Sequence, residues 1–194
     1  MQNNKSIRKY TEKEVLERQR ILFGERYVGH SISSIRAPEW AQMKISSFMQ
    51  KKKNMLIFCG NPGIGKTHLC ASLTDFAMNN FNTFRYWKEL DLLKKVRSSI
   101  DEYKGDYLDA LKHLVDDDFV IIDDVGSTGV NDWRSEIMFC AIDERYNSMK
   151  PTIITSNFSK RDFETKYHTR IASRLFDKDN IVIEILDGKD MRSE

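Results

Sequence analysis

The octapeptide Gly60-Asn61-Pro62-Gly63-Ile64-Gly65-Lys66-Thr67 constrains this chain more than any other stretch. It fits G-x-x-x-x-G-K-[ST], the spacing of a phosphate-binding P-loop. Before it, Asn54 to Cys59 is a short apolar run that reads as a buried strand. After it, Leu69, Leu73, Phe76 and Ala77 recur on one face of a predicted helix from Lys66 to Asn80. Strand, glycine loop and helix are what phosphate binding needs. Glycines let backbone N–H groups converge on phosphate oxygens, and the helix N-terminus adds partial positive charge. Lys66 is spaced to reach the β- and γ-phosphates and Thr67 to place its hydroxyl on Mg²⁺, with His68 counted beside them as nucleotide-binding. A tight turn that matches by chance is the alternative, and both flanks argue against it.

The 194 residues suffice for one domain with a real core. A net charge of +2 leaves any nucleic-acid surface to a local patch. No apolar run is long enough for a transmembrane helix, and residues 1–10 read as polar and disordered, with no apolar signal core. Cys59, Cys70 and Cys140 fall in apolar elements without a C-x-x-C pair. That predicts buried reduced thiols in a cytoplasmic protein and no structural zinc.

In chain order, Thr11 and Glu14 fit a capping box that opens a helix ending near Gly24. A second helix starts at Pro38 and runs to about Gln50. Residues 1–50 are thus expected to be an N-terminal helical extension and connecting segment, with the main domain spanning 51–194. Lys51-Lys52-Lys53 reads either as a solvated loop or as a phosphate contact. Strands are predicted at 83–87, 118–124, 151–156 and 180–186. Helices are predicted at 88–99, 103–115, 132–149 (capped by Asn131), 160–163 and 169–176. Alternating strands and helices imply a three-layer α/β/α parallel sheet, with ligands bound beyond the carboxyl ends of the strands.

The chemically interesting residues fall at those ends. Asp123 closes the run Phe119-Val120-Ile121-Ile122, where a carboxylate opposite a P-loop holds Mg²⁺. Asp124 reads as the acid that orients or deprotonates an attacking water, against an electrostatic or turn role. Asn157 ends its strand with an amide able to donate to a γ-phosphate and accept from water, against a cap role. Arg170 and Arg174 lie one turn apart on one helical face. They form either a surface salt-bridge stripe or a source of a guanidinium for a neighbouring subunit.

With these pieces placed, the chain resembles the DnaC/DnaI family of replicative-helicase loaders, which are AAA+ ATPases. The resemblance covers about residues 27–186. It rests on residues 60–69, on Ile-Ile-Asp-Asp-Val-Gly at 121–126, on Glu-Arg-Tyr at 144–146 and on Pro-Thr-Ile-Ile-Thr-Ser-Asn at 151–157. The resemblance implies a P-loop NTPase of AAA+ type without a C-terminal lid domain. It also implies sensor 1 at Asn157 and an arginine finger at Arg174, with Arg170 as the alternate. Implied cofactors are ATP and Mg²⁺. Implied partners are a hexameric replicative helicase, single-stranded DNA and further copies of the chain in a spiral or filament, with no membrane. The helix carrying Lys94, Lys95 and Arg97 then becomes a candidate DNA-facing element, against a solvated helix face. Two departures stand out. Family loaders usually carry a larger N-terminal domain, so how this chain grips a helicase is open, and the short form would suit a phage- or mobile-element-encoded loader. The chain also ends soon after its last strand, which is similar to the loaders and to IstB transposition-helper ATPases alike. The alternatives are therefore an IstB-like helper, an ATP-switched scaffold with little hydrolysis, or a small-molecule kinase; the double aspartate and Asn157 argue against the kinase.

Overall fold

The computed structural model describes residues 8–51, 54–99, 107–127, 129–167 and 169–185. Five parallel strands form one sheet: β1 (Met55–Gly60), β2 (Phe84–Lys88), β3 (Phe119–Val125), β4 (Thr152–Ser156) and β5 (Ile181–Ile185), in spatial order β2-β3-β4-β1-β5. The helices are α1 (Glu12–Phe23), α2 (Glu39–Lys51), α3 (Lys66–Ser72), α4 (Thr74–Asn80), α5 (Glu89–Ser99), α6 (Tyr107–Val115), α7 (Asp132–Asn147), α8 (Lys160–Asp162) and α9 (Thr169–Leu175). Strand β1, flanked by β4 and β5, is buried along its whole length, as an apolar run covered on both faces must be.

Alternation along the strands divides the core in two. Met55, Ile57 and Cys59 share one face with Val120, Ile122 and Ile154 and pack under α5, α6, α7 and α9. Leu56 and Phe58 point the other way, with Phe119, Ile121, Ile153 and Ile183, into α2, α3 and α4. Period-two alternation thus feeds both helix layers from the same strands. Ala41, Ile45 and Phe48 of α2 are buried in the second layer, so the N-terminal segment and the rest of the chain share this core. Arg145, 1% exposed, stitches the entry ends of β3 and β4 by donating to Val115 O, Pro151 O and Thr152 Oγ1 at 2.9, 2.7 and 2.9 Å.

The capping box at Thr11 and Glu14, the stop at Gly24 and the Asn131 cap are all present. Three features differ from the sequence reading. Tyr10, expected in a disordered stretch, donates its amide to Asn79 Oδ1 of α4 at 2.8 Å, so order begins before α1. The helix after the P-loop is kinked at Leu73, although bonds from Leu73 to Leu69 and from Ala77 to Leu73 carry the ladder through. Phe163–Tyr167 winds as a π-turn between α8 and α9, and the wider winding turns both Phe163 and Tyr167 inward. Lys52, Lys53, residues 1–7, the predicted helix start at 103–106 and the tail from 186 lie outside the described residues.

Candidate nucleotide-binding site

The carboxyl ends of β1, β3 and β4 meet at a cleft of about 830 Å³. Pro62, Gly63, Ile64, Gly65, Lys66, Thr67 and His68 line it, facing Asp123, Asp124 and Asn157. Gly60 and Asn61 do not line it; their carbonyls both accept from Lys66 Nζ, at 2.7 and 2.8 Å. Gly65 caps α3 with φ +93°, a left-handed conformation that a side chain would strain.

Asp123 is 1% exposed and accepts from four side chains. Thr67 Oγ1 and Tyr86 OH donate to Oδ2 at 3.1 and 2.9 Å; Thr155 Oγ1 donates to Oδ1, and the Cys70 thiol stands 3.8 Å from the same oxygen. Burial, reinforced by the Asp123 charge, pushes the Tyr86 phenol and the Cys70 thiol well above their ordinary ranges. Both therefore stay protonated, as donors to a carboxylate must.

Asp124 follows in a bulge. The β3–β4 register slips between Ile122 and Val125, and Asp124 takes φ +63°. Aspartate tolerates that region better than most residues. Its amide donates to Thr155 Oγ1 at 3.0 Å, and its Oδ1 accepts from Asn157 Nδ2 at 3.3 Å. Bulge and hydrogen bonds together present successive carboxylates to different neighbours, which a regular strand would send to opposite faces.

The remaining candidates lie elsewhere. Arg174 Nε pairs with Asp143 Oδ1 of α7 at 2.8 Å, and its guanidinium sits 5.5 Å from the Tyr146 ring centre. The Arg170 guanidinium lies 4.2 Å from the Phe139 ring centre, also on α7. Neither arginine lines the cleft of its own chain. Lys94, Lys95 and Arg97 are exposed on α5, with Arg97 over Trp133 at 5.3 Å.

Sequence reasoning missed one wall. Tyr27, His30, Ser34, Ile35 and Arg36 of the connecting segment line the same cleft. The His30 and His68 rings meet at a tilt of 48° with centres 4.0 Å apart, and His68 Nε2 lies 3.1 Å from Ser34 Oγ. Burial, then the neighbouring His30, holds the His68 imidazole below its ordinary value. Tyr86 and Thr155 were missed as well. Thr155 shares a strand side with Asn157, which period two makes legible; Tyr86 depends on the β2–β3 register, which no local pattern fixes.

The residues present fit a magnesium nucleotide. Thr67 and Asp123 pair a hydroxyl with a buried carboxylate, the hard oxygen donors that Mg²⁺ takes alongside phosphate and water. Fold and site together define a P-loop protein of AAA+ type. The chain belongs to the family of IstB-like ATP-binding proteins, whose sequence model matches residues 3–185. It is 26% identical over 132 residues to the ATP-binding protein of insertion sequence IS232 from Bacillus thuringiensis subsp. berliner, covering 68% of this chain and 51% of that protein. It is 34% identical over 113 residues to the ATP-binding protein of insertion sequence IS5376 from Geobacillus stearothermophilus, covering 58% of this chain and 43% of that one. The chain thus spans about half the length of the curated relatives it matches. Among solved structures, a DnaC helicase loader superposes with TM-score 0.67 at 26% identity, over 82% of this chain and 99% of that one. Among the described residues no helix is long and apolar enough to cross a membrane.

Proposed function

We propose that this chain is an ATP-hydrolysing loader that assembles on single-stranded DNA and delivers a hexameric replicative helicase. The observation that carries the reading is the Asp124–Asn157 contact of 3.3 Å on the cleft that Lys66 and Asp123 also line. Mg²⁺, held by Thr67 and Asp123, would offset charge on the phosphates. Lys66 would bind the phosphate oxygens, while Asn157 and Asp124 would hold a water, with Asp124 as proton acceptor. The wall from Tyr27 to Arg36 would take the nucleoside. Arg174, off the cleft of its own chain, would serve the cleft of an adjacent copy, with Arg170 as alternate.

The likeness to the DnaC loader supports the helicase as partner. A second reading, a transposition helper acting with a transposase, is supported by the two insertion-sequence relatives. Purified protein should turn over ATP faster with single-stranded DNA. Charge reversal at Lys94, Lys95 and Arg97 should weaken that DNA binding, whose affinity should fall steeply with salt. Pull-downs from the host then separate the readings: a hexameric helicase supports the loader, and a transposase in its place overturns it. ATP binding without turnover would point to a nucleotide-switched scaffold.

A further inference from the structure

Glu89 is a buried acid that the chemistry above leaves unused. An acid in the first turn of a helix ordinarily sits in water and gains a little from the helix dipole. Glu89, the first residue of α5, is instead 1% exposed. Its Oε2 accepts the Gly126 amide at 2.9 Å, and its Oε1 accepts the Tyr167 hydroxyl. Burial raises its pKa even against these two donors. A neutral amide of the same shape would avoid that desolvation, so the carboxylate carries a stability cost.

The contacts of Glu89 show what that cost obtains. The end of β3 and the turn after it are anchored at three successive residues. The Asp124 amide donates to Thr155 Oγ1 at 3.0 Å, and the Val125 carbonyl accepts from Ser156 Oγ at 2.6 Å. Both of these anchors come from β4. The third, at Gly126, is Glu89. Gly126 has φ +87°, and a Cβ there would stand 2.6 Å from the Phe158 ring, so the turn is wedged between that ring and the Glu89 carboxylate. Tyr167, the other partner of Glu89, closes the π-turn that leads into α9 and its two arginines.

We infer that Glu89 is a positioning residue: it holds the turn that aims Asp124 and ties that turn to the segment leading into α9. The inference rests on the hydrolytic reading of Asp124. It makes the orientation of the proton acceptor and the seat of the arginine helix two ends of one buried linkage.

Glu89→Gln, Tyr167→Phe and the double variant of the full chain test it. Glu89→Gln keeps the shape, removes the charge and turns one of the two acceptor oxygens into a donor, so the Tyr167 hydroxyl must reverse and accept or the Gly126 amide loses its partner. It should bind an ATP analogue as the wild type does, melt no lower, and turn over ATP more slowly by up to about 10²-fold, the loss a misplaced group can cause. The double variant should be no slower than the worse single, because both changes cut one linkage. Turnover within about twofold of wild type in all three variants would overturn the inference, as would a loss that tracks a lowered melting temperature. Hydrogen exchange supplies an arm independent of turnover: Tyr167→Phe should speed exchange of the Gly126 amide. Unchanged protection there overturns the inference even if the wild type proves not to hydrolyse ATP, an outcome that would separately remove the hydrolytic reading.

Discussion

The Thr155 hydroxyl joins Asp123 to the backbone of the residue after it. It donates to the Asp123 carboxylate and accepts the Asp124 amide at 3.0 Å. A single side chain of β4 thus ties the Asp123 carboxylate to the backbone that carries Asp124. Thr155→Val keeps the shape and removes both bonds, leaving a half-buried amide without its partner. It should cost about 1–3 kcal/mol in urea denaturation and weaken Mg²⁺-dependent nucleotide binding. Wild-type values for both would remove Thr155 from the site.

The two acids should separate by substitution. Asp123→Asn replaces one acceptor oxygen by a donor among four donors, so Mg²⁺-dependent ATP binding should fall. Asp124→Asn should leave binding near wild type and slow turnover by about 10²-fold or more, the range of a lost general base. Hydrolysis at the wild-type rate in Asp124→Asn would assign it a turn role and favour the scaffold.

Lys66→Ala should lower ATP affinity by one to two decades, because charge-assisted contacts are worth ~1.5–3 kcal/mol. Arg174→Ala should bind ATP normally and turn over slowly, since an arginine finger is worth about 10³-fold or more in GTPase examples. Mixing the two inactive proteins should restore activity in a concentration-dependent way, by pairing an intact cleft with an intact arginine. A mixture that co-assembles and stays inactive moves the role to Arg170.

The contact between His30 and His68 predicts a pH dependence. The His68 pKa is lowered by burial first and by His30 next, so the folded protein favours the neutral ring. Its stabilising contribution is then present above about pH 6.5, the unperturbed imidazole value, and is lost as pH falls below it. The melting temperature should drop between about pH 7.5 and about pH 5.5, and His68→Gln should flatten that drop. An unchanged slope in His68→Gln would place the titration elsewhere.

Much of this was legible because the signals are local. The P-loop, the apolar run ending at Asp123 and the strand ending at Asn157 carry their own spacing, and the sheet places their ends on one cleft. Residues that act across the sheet left no such mark. Tyr86 reaches Asp123 only through the β2–β3 register, and Glu89 reads in sequence as an ordinary helix-start acid. The wall from Tyr27 to Arg36 resembles a linker because its two single 3₁₀ turns have no periodicity to detect. The left-handed Asp124 follows from a bulge that arises only when β3 meets β4.

Gln19 of α1, 1% exposed, spends one amide on three attachments: Nε2 donates to His30 O at 2.6 Å and Ala71 O at 3.0 Å, and Oε1 accepts the Gly29 amide at 2.9 Å. His30 belongs to the wall of the cleft and Ala71 to the helix that begins at Lys66. Mechanically, α1 is therefore a handle fastened to the outer side of the wall that His30 forms. A pull on this outer helix would be felt first where a nucleoside would rest, and a ligand that tightens the wall would be felt in turn as a shift of the handle.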